Sequence, residues 1–381
     1  MNSSIAGPSG QRSIRCRRHT WKQRLLTTVC GMGLAFAAAG IPAIADADPL
    51  LPPQFFTSTT VPANGDENPY GVAFVPEGFP SFGTIDAGDL LISNFNNSSN
   101  QQGTGTTIVK ITRDNKPVTF FQGSGLGLTT ALGVLRAGFV VVGSTPTTDG
   151  TSATVMPGTL LVLDRTGNVV AQWTPAMAKI DGPWDLTIFD RGSVAKIFVS
   201  NVLSGTVVRL DVFIDGNGVH LVRATQVASG YLTRTDPNAL VVGPTGLVYD
   251  PQRDVLYVAS TGDNEIFAVF GAGTSRHDGG KGVVIYADNA HLRGPLALAL
   301  GPNGDLFTSN GDAVNTDPTH PSEIVEFTPQ GRFVAQLSID PGTGGAFGLA
   351  FSQPVDRFVR FAAVDDNTNS VTVWRLPSGG N

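Results

Sequence analysis

The sequence predicts an all-β fold, a six-bladed β-propeller of four-stranded antiparallel blades. Three observations carry this reading. The stretch Gly246 to Val269 holds three short strands in succession: Gly246–Tyr249 closes on Asp250-Pro251, Val255–Ala259 follows, and Gly262-Asp263-Asn264 turns the chain into Ile266–Val269. Strand residues bounded by turn residues are the signature of a meander. A fourth run, Val283–Tyr286, completes one blade within about 45 residues. The pattern then recurs at intervals of about 50 to 60 residues along the chain. Finally, 46 Gly and 25 Pro beside 41% apolar residues suit a turn-rich β protein and disfavour a helical or disordered one.

Each blade opens on a recurring entry. Its forms are Asn68-Pro69-Tyr70-Gly71, Gly182-Pro183-Trp184-Asp185, Gly243-Pro244-Thr245-Gly246, Gly294-Pro295-Leu296 and Gly345-Ala346-Phe347-Gly348, with a weaker copy at Thr130–Leu135. An apolar first strand follows each one. Second strands end on a small polar residue: Asn94, Ser144, Asn201, Ser260, Asn310 and Asp365. Third strands are expected at 107–112, 159–164, 206–212, 265–270, 323–328 and 370–376. Fourth strands are expected at 118–122, 169–173, 219–227, 283–286 and 333–338. The sixth blade lacks a fourth strand, and the segment Gln54–Val61 is left over ahead of the first. Its expected place is beside Ser370–Leu376, which seals the ring and removes an exposed sheet edge.

Residues 1–45 differ from the rest. Six basic residues from Arg12 to Arg24 precede an apolar run, Leu25 to Ala45, that ends in the cleavage-type triplet Ala43-Ile44-Ala45. This reads as a secretory signal. Ordinary Sec export with a long basic head is the expected route, and Arg17-Arg18 with Lys22 offers the twin-arginine route as the alternative. Residues 46–53 read as a linker and 54–381 as the propeller. The expected location is periplasmic or extracellular, with no membrane attachment once the signal is cleaved. Its loss removes six basic residues and no acidic one, taking the formal charge from −6 to −12. Such a chain is ill suited to nucleic acid or anionic membranes. Both cysteines, Cys16 and Cys30, lie in the signal, so the mature chain has no disulfide and no thiolate site. A monomer is expected.

The entry, the apolar strand after it, the second-strand pattern D-x-L-[FYI]-[VT]-[AS] and a following Asn or Asp resemble the NHL-repeat propellers. They are also similar to the wider six-bladed group that holds the gluconolactonase/senescence-marker family and strictosidine-synthase-like proteins. The resemblance covers 54–381. It implies the fold, and it leaves open a binding scaffold or a metal-dependent hydrolase or lactonase.

In a four-stranded meander, the blade entry and the turn after the second strand lie at the same end. That end carries the long turns Phe95–Gly105, Pro146–Pro157 and Gly311–Pro321, which marks it as the binding face. Asn94, Asn201 and Asn310 come from alternate blades and are expected to ring the channel mouth, with Tyr70 and Trp184 as further ligand-binding candidates. Glu67, Asp181, Asn201 and Asn310 are the candidate ligands of a calcium-like ion, which takes about 6–8 oxygens. The resemblance implies the same ion for Glu67 and Asn201, since gluconolactonase-like enzymes use a Glu/Asn/Asp set. The competing role for these asparagines is capping of turns by side-chain-to-backbone hydrogen bonds. Of the mature histidines, only His291 and His320 fall on the binding face, too few for a three-histidine zinc site. No G-x-S-x-G elbow occurs. The main expectation is a ligand- or protein-binding scaffold, with a metal-dependent hydrolase as the alternative.

Overall fold

The computed structural model of the protein describes residues 55–112, 114–311, 319, 321–353 and 358–377. The expected signal, the linker, Gln54, His320 and most of the 311–321 turn lie outside these residues. The first strand, β1 (Phe55–Thr59), belongs to the last blade. Blade one holds β2 (Glu67–Phe74), β3 (Leu90–Asn96), β4 (Thr107–Ile111) and β5 (Pro117–Gln122). Blade two holds β6 (Leu128–Leu135), β7 (Phe139–Ser144), β8 (Thr159–Asp164) and β9 (Val169–Trp173). Blade three holds β10 (Pro183–Asp190), β11 (Val194–Asn201), β12 (Thr206–Asp215) and β13 (Gly218–Ser229). A small hairpin, β14 (Arg234–Asp236) and β15 (Leu240–Val242), precedes blade four, which holds β16 (Pro244–Asp250), β17 (Val255–Ser260), β18 (Glu265–Phe270) and β19 (Val283–Tyr286). Blade five holds β20 (Pro295–Leu300), β21 (Leu306–Asn310), β22 (Glu323–Phe327) and β23 (Phe333–Ser338). Blade six holds β24 (Ala346–Phe351), β25 (Phe358–Asp365) and β26 (Ser370–Pro377).

All six main sheets have four antiparallel strands in meander order. In the sixth, β1 occupies the outer position beside β26, with Phe55 opposite Trp374 and Thr59 opposite Ser370. The innermost strands β2, β6, β10, β16, β20 and β24 each pack on the next, and β24 packs on β2, so the blades form a ring.

The core lies between blades. Successive residues of a strand point to opposite faces. In β3, Leu91 joins a cluster with Leu132 and Val142 of blade two, while Ile92 joins Val364 and Val371 of blade six. The cluster between blades two and three is built likewise from Val141, Val162, Ile197 and Leu210. Apolar residues on both faces explain why these strands read as near-continuous apolar runs. Among the described residues no helix is long and apolar enough to cross a membrane.

Candidate ligand-binding site at the axial mouth

The recurring entry is a register irregularity at the start of every innermost strand. Pairing slips between Pro69 and Val72, Leu128 and Leu132, Pro183 and Leu186, Pro244 and Leu247, Pro295 and Leu298, and Ala346 and Leu349. The irregularity bends the strand and re-aims its first side chains. Serines one residue before the strand-two ends stabilise it. Ser93 Oγ accepts from Gly71 N–H at 3.0 Å and donates to the Thr129 carbonyl of the next blade at 2.8 Å. Ser200 does the same between Asp185 and Thr245.

The asparagines that follow these serines act on the backbone. Asn201 Oδ1 accepts from Asp181 N–H at 2.9 Å, and its Nδ2 donates to the Lys179 carbonyl and to Thr206 Oγ1, both at 3.0 Å. Asn310 Oδ1 accepts from Arg293 N–H, and its Nδ2 donates to the His291 carbonyl. Asn94 Nδ2 donates to the Thr60 carbonyl and Thr107 Oγ1. All three are fully buried. Asn201 and Asn310 tie the chain just ahead of the blade entry to the second strand, Asn94 ties that strand to Thr60 and to β4, and none of the three lines the axial cavity.

That cavity, of about 390 Å3, opens at the loop-rich end. Tyr70, Trp184 and Phe347, the third residues of three entries, form its apolar wall with Val241 and Leu296. Tyr70 is stacked between Phe347 at 4.4 Å and Phe95 at 4.5 Å, while Trp184 meets Tyr70 and Phe95 edge-on at 5.9 and 5.4 Å. The rings therefore hold one another in place and offer edges to a ligand. Burial, and then the charge of Asp366, pushes the Tyr70 hydroxyl upward, so it stays protonated.

Asn68, Asn96, Asn100, Gln102 and Asp366 supply the polar lining. Four buried polar atoms in it have no partner: Asn68 Oδ1, Asn96 Oδ1, Gln102 Oε1 and Trp184 Nε1. Unpaired buried groups are costly and uncommon in folded chains. The Asp366 carboxyl is pushed up to about 7, first by burial and then by the neighbouring Asp365 and Glu67 carboxylates.

Asn68 has a particular origin. The residue before the paired position at which the register slips is Gly127, Gly182, Gly243, Gly294 or Gly345 in five blades and Asn68 in the other. Gly182 and Gly294 take φ of +70° and +68°, and Asn68 takes φ 60°. Asn tolerates this left-handed region better than most side chains. It thus places a carboxamide at the mouth where the other blades have only hydrogen.

The hairpin β14–β15 partly roofs the cavity. Leu240 and Val241 join the cluster of Tyr70, Trp184 and Phe347. Gln102 Nε2 donates to the Asn238 carbonyl at 3.2 Å, and Ser152 Oγ donates to the Leu240 carbonyl at 2.6 Å. Thr147 Oγ1 donates to the Gln102 carbonyl at 2.6 Å. Loops of blades one and two and the hairpin therefore share one hydrogen-bonded roof.

Of the expected residues, Tyr70 and Trp184 line the cavity. Glu67, Asp181, Asn201 and Asn310 do not share it. Glu67 contacts Asn369 Nδ2 at 3.5 Å, and Asp181 is raised by its burial, against a hydrogen bond from Ser204. Among the described residues no group of three or more His, Cys, Asp or Glu side chains is arranged to hold a metal ion. His291 Nδ1 pairs with Asp288 Oδ2 at 2.5 Å and stacks on Phe333. Sequence reasoning put Asn68 and the 95–105 turn, with Asn96, Asn100 and Gln102, at the binding end but singled out none of them, nor Asp366, as a ligand-binding residue. Only Asn68 carried a signal, as the one side chain in a glycine position.

No protein-family profile and no curated protein sequence matches this chain. Solved structures do. A protein provisionally assigned as a gluconolactonase is 14% identical, with 88% of this chain and 99% of that one covered at a TM-score of 0.54. A catalytically inactive virginiamycin B lyase from Staphylococcus aureus, with quinupristin, is 13% identical over 85% and 89%, at 0.48. A Thermus thermophilus protein provisionally assigned as a glucose dehydrogenase is 15% identical over 85% and 100%, also at 0.48. The first likeness shows the fold shared with the gluconolactonase-type propellers, and the fold alone.

Proposed function

We propose that this chain is an exported binding protein that takes up a small polar ligand in the axial cavity of its loop-rich face. Export rests on the basic head, apolar run and Ala43-Ile44-Ala45 of the leader. The observation that carries the binding reading is the set of four unpartnered buried atoms around one aromatic-walled cavity. A ligand with hydrogen-bond donors for the three amide oxygens and an acceptor for Trp184 Nε1 satisfies all four. A volume of about 390 Å3 suits a molecule of sugar or amino-acid size.

The test separates folding from binding. Asn68→Gly restores the residue that five other blades use, and Trp184→Phe keeps an aromatic ring while removing the donor. Asn68→Gly is expected to melt close to the parent, and Trp184→Phe somewhat lower because the smaller ring leaves a void in a buried cluster, so binding is compared well below both midpoints. A panel of sugars, polyols and amino acids, read by thermal shift and tryptophan fluorescence, finds the ligand. Each variant then weakens binding about ten-fold, the effect of one buried hydrogen bond. Undiminished binding in both variants would refute the assignment.

A metal-dependent hydrolase is the second reading. It draws on the Asp366 carboxyl beside Asp365 and Glu67, a like-charged group that a cation relieves. Against it stand the backbone-engaged amides of Asn201 and Asn310.

A further inference from the structure

A second cavity, of about 650 Å3, lies at the other end of the molecule, where the innermost strand of blade three finishes. The register defines its floor. Phe189, Lys196, Asp211 and Arg223 stand opposite one another in turn, making one row across all four strands of the blade. A neighbouring row begins with Val194 opposite Phe213. The far wall is the turn after β18 in blade four, with Gly273, Thr274 and Arg276.

This wall is fixed. Arg209, almost fully buried, donates to the Ala272 carbonyl at 2.7 Å and the Ser275 carbonyl at 2.9 Å. Asp254 accepts from Gly273 N–H and from Thr274 Oγ1. A Cβ on Gly273 would sit 2.0 Å from the Tyr249 hydroxyl, so the turn is packed as closely as glycine allows.

The charges are unbalanced. Asp211, the cavity's carboxylate, is already shared by Lys196 at 3.0 Å and Arg209 at 3.1 Å. Arg191, Arg223 and Arg276 also line the cavity, and all three are exposed. None of them has a carboxylate partner among the described residues. Between them lie apolar side chains left open to solvent: Phe213 at 43%, Val194 at 48% and Val222 at 65% exposure. Three free cations around an apolar trough are unusual on a chain whose formal charge is negative.

We propose that this groove binds an amphipathic anion, a carboxylate carried on an apolar body. An inorganic anion would call for donors converging on one point. Here the arginines sit at the rim, and hydrocarbon surface lies between them. The apolar body covers Phe213 and Val222 while the carboxylate meets the guanidinium groups, which suit it in geometry as well as charge.

The experiment uses anilinonaphthalene sulfonate as a fluorescent probe and decanoate as a competitor on the intact protein. One probe site displaced by decanoate is expected, with affinity falling as salt is raised. The triple variant Arg191→Gln, Arg223→Gln, Arg276→Gln changes only exposed residues and should bind the probe about ten-fold more weakly. Val222→Glu, also exposed, should weaken it independently by placing a like charge in the trough. Lys116→Gln, which removes an exposed cation lining neither cavity, should leave probe binding unaltered. Unaltered binding in the triple variant overturns the proposal. So does displacement by inorganic phosphate as effective as by decanoate, or binding seen only with phosphatidylglycerol vesicles.

Discussion

At the residue scale, two buried polar side chains show how an exposed-looking motif can be structural. Asn201 satisfies one backbone N–H, one carbonyl and one hydroxyl from a fully buried position. Asn201→Ala leaves the N–H and the carbonyl unmet, while Thr206 Oγ1 keeps its contact with Ser204 Oγ at 3.0 Å; it is expected to cost about 2–4 kcal/mol in urea unfolding. Because both ends of its amide face the protein, any shift in melting that calcium or a chelator produces in the parent should be retained undiminished in Asn201→Ala. Asp185 is the second case. Its Oδ1 accepts from Leu186 N–H and its Oδ2 from Leu247 N–H of the next blade, both at 2.8 Å. Burial nevertheless pushes its carboxyl up to about 8, the two N–H groups only tempering the rise. The unfolded chain releases this proton near 3.8, so folding takes one up between those values. Stability should therefore decline as pH rises from about 5 to 8, by a few kcal/mol. Asp185→Asn should flatten most of that slope, leaving the smaller part from Asp366. Unfolding measured at three pH values decides it.

At the element scale, the fourth residue of the entry matters most. A Cβ on Gly246 would lie 2.4 Å from the backbone of Ala297, and one on Gly348 would lie 2.1 Å from the Tyr70 carbonyl. Neighbouring blades approach backbone to backbone here, so Gly246→Ala is expected to cost about 1–3 kcal/mol through overpacking, read as a lower melting temperature. This element was legible in the sequence because the constraint is local: a glycine, a proline and an apolar strand must follow in order. The second-strand ends were legible as positions, and the sequence offered both roles for them, ligand and turn cap; Asn201 and Asn310 take the second, bonding backbone on both sides of the amide. Whether an asparagine faces the channel or clamps its own blade depends on the register slip, which periodicity does not reveal. The hairpin β14–β15 was missed because strands of three residues, Arg234–Asp236 and Leu240–Val242, fall below the length at which alternation is readable. Asn96, Gln102 and Asp366 were not singled out as ligand-binding for a related reason, although the first two lie in a turn expected on the binding face. They lie near or beyond strand ends, and only the fold brings their blades together.

At the scale of the whole molecule, the ring makes each blade depend on two neighbours, since every cluster of the core is shared across a gap between sheets. The leftover segment ahead of the first blade showed in the sequence as an apolar run without a sheet, and in the structure Phe55–Thr59 lies beside Ser370–Pro377. A chain beginning at Ala63 would leave β26 as an open edge and lose the Thr57–Thr372 hydroxyl contact at 3.1 Å. It is expected to melt several degrees lower and to aggregate more readily, as light scattering would report.

The pairing of β1 with β26 also has a mechanical side. Phe55 faces Trp374, so the chain enters β1 and leaves β26 at the same corner of the blade. Tension applied to the two ends would part these strands like a zip, one rung after another, and would never load all the rungs at once. A ring of six mutually dependent sheets would thus open under a gentle tug at this one seam.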